Sequence, residues 1–374
     1  MIDTIQMRFG VKYSEVKSLI KAINTVIEEN SSKYYYYDRN KISLPLHRVK
    51  RGEYYPLSTT GLTHFGIQEL KIERKCNIIN GMEYVHYNLI LVYKPALVLH
   101  PDDYYALTDF CEYRDAEEKF NSLIGKINDK LIQFTNSFEL PAFDKWIIVR
   151  IDYAFQIETN DYLCYWFLFK NYWNNYPPSV YIHKKSTTVN FYDKTYKREG
   201  VVKEETAHII RFEVQCYKKW IENTYNKGRI TLNGIEGLWD ERVANNVILS
   251  KFRSIFGTGD FYTLEEAKSI ISDSCSRQKT KILVKFLELT KNDTVDDVVY
   301  ALSCLLKMEE HKIRRNYLRE LSNLGIALVC LPSKDDFCNF ITESQAINIP
   351  MESIVRLEGQ NVRKIVNPIK SKVF

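Results

Sequence analysis

Along the first two thirds of the chain, apolar and polar residues alternate in short runs, a period of two that sends successive side chains to opposite faces of a β-strand. The clearest run is Val85-His86-Tyr87-Asn88-Leu89-Ile90-Leu91-Val92-Tyr93, which Pro95 stops. Three others set polar residues in a β-branched and aromatic frame: Trp146-Ile147-Ile148-Val149-Arg150-Ile151-Asp152-Tyr153-Ala154-Phe155, Thr187-Thr188-Val189-Asn190-Phe191-Tyr192, and His208-Ile209-Ile210-Arg211-Phe212-Glu213-Val214-Gln215-Cys216. Helical periodicity over residues 11–30 and 115–137 intervenes. The strands are too irregularly spaced for repeated βαβ units, so the pattern predicts an α+β fold on a mainly antiparallel sheet.

From about residue 236 strand-like runs become scarce and amphipathic stretches take over, which predicts a domain of residues 1–235 followed by a mainly helical domain of residues 236–374. Val295, Val298, Val299, Leu302 and Leu306 recur at helical spacing after the capping residue Thr294, and Ile313, Tyr317, Leu321 and Leu324 repeat the pattern before Gly325. The second helix carries Lys312, Arg314, Arg315 and Arg319, and Ile326-Ala327-Leu328-Val329 follows it, an order of elements like a winged helix-turn-helix. Such a basic face is either simply solvated or meets duplex DNA.

Composition narrows the classes. The net charge of +5 over 374 residues permits a polyanionic partner without demanding one. The 26 tyrosines, often beside Lys or Arg, suit unpaired bases, although an AT-rich genome would produce the same bias. Eight cysteines without a Cys-x-x-Cys pair argue against a zinc ribbon and a disulfide framework, and predict buried thiols. No uncharged apolar run approaches the roughly 18 residues of a membrane span. Met1-Ile2-Asp3-Thr4 has an acid where a secretory signal carries bases, so a cytoplasmic protein without a membrane partner is expected.

Three segments place charge inside strands, where an unpaired buried charge would be costly. In Arg150-Ile151-Asp152 and in Arg211-Phe212-Glu213-Val214-Gln215, alternation puts the basic and acidic residues on one face. Structural ion pairs across neighbouring strands would explain both. Alternatively, Asp152 and Glu213 meet and hold Mg²⁺ or Mn²⁺ through hard oxygen ligands, with His86 or Asn88 completing the set. His64 and His100 are rivals for that place, whereas His47, His183, His208 and His311 show no carboxylate-rich setting. The third segment is Phe191-Tyr192-Asp193-Lys194-Thr195-Tyr196-Lys197-Arg198. A phenol titrates near pH 10, so it is a nucleophile only where a cation favours its ionised form; Lys194, on the same strand face as Tyr192, would do this.

Taken in order with Met1-Ile2-Asp3-Thr4-Ile5-Gln6-Met7-Arg8, Lys94-Pro95-Ala96-Leu97-Val98-Leu99 and Tyr317-Leu318-Arg319-Glu320-Leu321, these segments resemble the filamentous-phage replication initiators and related plasmid rolling-circle Rep proteins. The resemblance runs from residue 1 to about residue 225. It implies an HUH-endonuclease-like fold that nicks one DNA strand at an origin, single-stranded or extruded, and keeps the 5′ phosphate on a tyrosine. It further implies Tyr192 as nucleophile with Tyr196 as alternative, Lys194 as the adjacent cation, and Asp152 and Glu213 as the acidic positions around a Mg²⁺ or Mn²⁺ ion, to which the strand reading adds His86. Arg150, Arg211, Lys197, Arg198, Lys312, Arg314, Arg315 and Arg319 would contact DNA, and a host helicase and polymerase would take over the nicked strand. The His-hydrophobic-His signature of the superfamily is absent. A conjugative relaxase of the same fold and a non-enzymatic DNA-binding regulator are the competing readings.

Overall fold

The computed structural model describes residues 1–30, 54–57, 61–80, 82–135, 138–159, 179–195, 208–226, 234–331 and 340–341. It is a mixed α+β structure in which the strands between residues 2 and 159 pair antiparallel with one another, as do Phe261–Tyr262 and Phe340–Ile341. The chain divides into two compact units that interleave along the sequence. Unit 1 comprises Met1–Ala154, Lys184–Thr188 and Gln215–Ala244; unit 2 comprises Phe155–His183, Val189–Val214 and Asn245–Phe374. The composition break near residue 236 falls within the last segment of unit 1.

In unit 1 the strand order is β2-β3-β4-β1-β5, with β1 Ile2–Val11, β2 Tyr54–Leu57, β3 Ile67–Ile79, β4 Met82–Tyr93 and β5 beginning at Ile147. β1 is central: Ile5 faces Tyr93 of β4 on one side and Ile151 of β5 on the other. Helix α1 (Tyr13–Asn30) packs against α2 (Tyr113–Leu131). The buried stripe of α1 is Val16, Leu19, Ile23 and Ile27, the three-and-four spacing its sequence predicted. Each such side chain contributes about 1.5–3 kcal/mol on full burial. Phe120 of α2 and Phe143 pack on Tyr93, with ring centroids 5.3 and 5.8 Å away. A buried pair, Asp3 to Lys94 at 3.2 Å, ties β1 to the residue that follows β4.

In unit 2 the order is β5-β8-β7-β6, where β5 ends at Thr159, β6 is Ser179–Lys184, β7 Thr187–Asp193 and β8 His208–Tyr217. Phe155 of β5 stacks on Phe212 of β8 at 5.3 Å. Helix α3 (Lys218–Asn226), which belongs to unit 1, follows β8; within unit 2, α4 (Glu241–Phe256) supplies Phe252, 5.7 Å from Phe212 and 6.2 Å from Phe261 of the short strand β9 (Phe261–Tyr262). Beyond lie α5 (Leu264–Ser274), α6 (Arg277–Leu289) and α7 (Val295–Leu306). Thr263 and Glu266 form a reciprocal capping box on α5, and Thr294 caps α7 by accepting from the Asp297 amide. Lys307, left-handed at φ 51°, ends α7. The next helical run comprises α8 (Glu310–Ile313), a π-helical turn (Arg314–Leu318) and α9 (Arg319–Asn323). Ile326 and Leu331 form parallel bridges to Asp260 and Thr263, and β10 (Phe340–Ile341) pairs with β9. Among the described residues, no helix is long and apolar enough to cross a membrane.

Candidate functional site

Strand alternation gives β7 and β8 two unlike faces within unit 2. One carries Val189 and Phe191 of β7 with Ile210, Phe212 and Val214 of β8, and it closes on Phe155 and Phe252. The other carries Asn190 and Tyr192 of β7 with Arg211 and Glu213 of β8. Both faces are buried: Arg211 has no exposed surface, and Asn190, Glu213 and Tyr192 are 4, 5 and 6 % exposed. Burying this much polarity is costly unless the groups satisfy one another.

They largely do. The Tyr192 hydroxyl donates to Glu213 Oε2 at 3.4 Å. Arg211 Nη2 donates to Gln156 Oε1 of β5 at 2.7 Å, so Gln156 joins the polar face. Asn190 Oδ1 is buried and has no hydrogen-bond partner among the described residues. A phenol directed at a carboxylate differs from the structural tyrosines of unit 1. Tyr93 donates to the Ala116 carbonyl at 2.9 Å and Tyr153 to the Leu238 carbonyl at 2.7 Å, and burial pushes both phenols well above their ordinary pKa. Those two are held neutral by their surroundings.

Comparison of the chain with known protein families, with curated proteins and with solved structures found no match.

The remaining expected residues fall into three groups. In unit 1, Asp152 is 1 % exposed and accepts from Arg150 Nη2 at 2.8 Å, an ion pair along one strand. His86 of β4 is half-buried and lies opposite Lys75 of β3, while Asn88 donates to Glu73 at 3.0 Å. Among the described residues, no three His, Cys, Asp or Glu side chains are grouped so that they could hold a metal ion. In unit 2, Lys312, Arg315 and Arg319 are exposed, and Arg314 pairs with Asp296 at 2.6 Å. Tyr196, Lys197, Arg198 and His47 lie outside the described residues.

Three expectations change. Lys194 does not share Tyr192's strand face, because β7 ends at Asp193 and Lys194 and Thr195 turn helical. His208, read as lacking a carboxylate, has Asp193 Oδ2 2.8 Å from its Nδ1. Among the thiols, Cys76, Cys216 and Cys330 are buried as expected, but Cys111 and Cys304 are exposed. Sequence reasoning also missed Gln156 and Asn190. Alternation from Asp152 and from Tyr192 was the available signal for each.

Proposed function

We propose that this chain nicks and rejoins one DNA strand as a rolling-circle replication initiator of HUH-endonuclease type, with Tyr192 as nucleophile. The observation that carries this reading is the Tyr192 phenol directed at the Glu213 carboxylate on a buried polar sheet face. Glu213 accepts the phenol's hydrogen bond and, as general base, takes its proton while the oxygen attacks. The oxygen attacks a backbone phosphorus, and the bond to the 3′ oxygen breaks. The 5′ phosphate stays on Tyr192, and the 3′ oxygen leaves with the proton as a hydroxyl that primes a host polymerase behind a host helicase. Reversal of the same step reseals the strand.

The donor chemistry suits a Mg²⁺ or Mn²⁺ ion. Glu213 and the unpaired Asn190 oxygen are hard ligands on one face, and such ions usually keep several waters and bind through one or two carboxylates plus substrate phosphate. A bound ion would supply polarisation of the scissile phosphate. In unit 2, exposed Lys312, Arg315 and Arg319 are the side chains offered to duplex DNA near the origin, in a winged-helix-like arrangement.

Testing requires labelled single-stranded oligonucleotides that tile this protein's own gene and its flanks, incubated with the full chain and Mn²⁺. One or more strands should become covalently attached. Attachment should stop in chelator and in Tyr192→Phe. An adduct that persists in Tyr192→Phe moves the nucleophile elsewhere. Salt-sensitive binding without attachment under any divalent metal would instead favour the regulator reading, which the exposed basic helix supports.

A further inference from the structure

We infer that Asp193 and His208 are positioning residues for Tyr192, acting as a clamp from the opposite side of the sheet; this inference rests on the nicking reading. The pair has no part in the chemistry proposed above, yet its side chains are 0 and 3 % exposed and meet at 2.8 Å. It sits on the aromatic face of β7 and β8, in line with Phe191 and Phe212, where two apolar side chains would pack without a desolvation cost. A buried polar pair on such a face contributes little net stability over an apolar pair. What it adds is a directional constraint on register.

That constraint falls at the residue after Tyr192. On a strand, adjacent side chains point to opposite faces, so fixing where Asp193 points also fixes the strand's rotation and hence the aim of Tyr192 at Glu213. A second tie reinforces the first: the Ile209 amide donates to Thr195 Oγ1 at 2.9 Å. Residues 193 and 195 are thus both fastened to the start of β8, and Lys194 lies between them, where the strand gives way to a helical turn. The clamp holds Tyr192 and Lys194 in a defined relation to one another, although Lys194 has left the strand face.

The test uses the full chain in three variants: His208→Leu, which removes the donor but suits an aromatic layer; His208→Asn, which keeps a donor near the place of Nδ1; and Thr195→Val, which is isosteric and removes the second tie. Two quantities are read. One is the single-turnover rate of covalent attachment at saturating concentration of the tiled strand that gives most adduct with the wild type, together with that strand's Kd. The other is amide hydrogen exchange of the peptide covering residues 191–195. A displacement of the nucleophile by about 1 Å is expected to slow attachment roughly 100-fold. His208→Leu should show such a loss with an unchanged Kd, a purely structural defect should raise Kd and lower the melting temperature together, and His208→Asn should recover most of the rate. Exchange should quicken in His208→Leu and in Thr195→Val. Attachment at the wild-type rate in a folded His208→Leu, or no rescue by His208→Asn, overturns the inference. If His208→Leu does not fold, Thr195→Val decides by the same readouts. Should no strand attach to the wild type, the nicking reading fails by itself, and unchanged exchange at residues 191–195 separately disproves the clamp.

Discussion

Replacing Glu213 by Gln separates the chemical role of its charge from its structural role. Gln keeps the length of the side chain and one acceptor oxygen for the Tyr192 hydroxyl and for the other contacts of Glu213. A hydrogen bond to a charged group contributes about 1.5–3 kcal/mol net, and one between neutral groups about 0.5–1.5. Because the Tyr192 contact is 3.4 Å long, near the outer limit for such a bond, loss of the charge should cost roughly 1 kcal/mol of stability. If the carboxylate also takes the phenol's proton during attack, general-base assistance worth about 10²–10⁴ in rate disappears with it. Even the lower end of that range raises the barrier by about 2.7 kcal/mol. Urea denaturation of Glu213→Gln should therefore show a small loss, whereas single-turnover attachment at saturating DNA should slow at least about 100-fold. Attachment within about threefold of wild type, a barrier change of less than roughly 0.7 kcal/mol, would refute a catalytic role for the carboxylate and leave Glu213 as packing.

Two further expectations concern stability. Phe252, 1 % exposed, backs Phe155 and Phe212; Phe252→Ala should cost about 3–5 kcal/mol in urea denaturation and lower attachment with it, and a cost below about 1 kcal/mol would show that the layer collapses to fill the gap. Gly259 adopts φ +131°, and a Cβ there would lie 2.5 Å from the Gly325 carbonyl carbon, whereas a Cβ on Gly125 meets nothing within 4 Å. Gly259→Ala should therefore destabilise by at least about 2 kcal/mol. Gly125→Ala, on an exposed position of α2, should gain up to about 1 kcal/mol, and equal effects of the two substitutions would contradict the geometry.

Local periodicity made much of the fold legible. The runs ending at Tyr93, Phe155, Tyr192 and Cys216 are strands because each alternates over enough residues for one face to bury itself, and Thr294 caps a helix because its hydroxyl reaches an amide three residues on. Alternation likewise placed Tyr192 and Glu213 among the candidates. The interleaving of the two units was not legible, since the rings of Phe155 and Phe252 share unit 2 across almost a hundred residues of chain and nothing local in either segment marks the other. The end of β7 at Asp193 was hidden for a related reason. Lys194 and Thr195 carry no breaker such as Gly or Pro, and the turn is secured by Asp193 and Thr195 reaching the start of β8.

If Tyr192 is the nucleophile proposed above, the polar face must hold its phenol in aim. The hydrogen bond that aims the Tyr192 phenol at Glu213 is long, 3.4 Å, and a rotation of the strand would break it. Stronger restraint has to come from elsewhere, and on β7 and β8 it comes from the other face: Phe191 and Phe212 resist translation through packing, while Asp193 and His208 resist rotation through a directional bond. The aromatic layer by itself would tolerate slippage, because apolar contacts have little directional preference. Placing the directional pair one residue from Tyr192 confines the constraint to where aim matters.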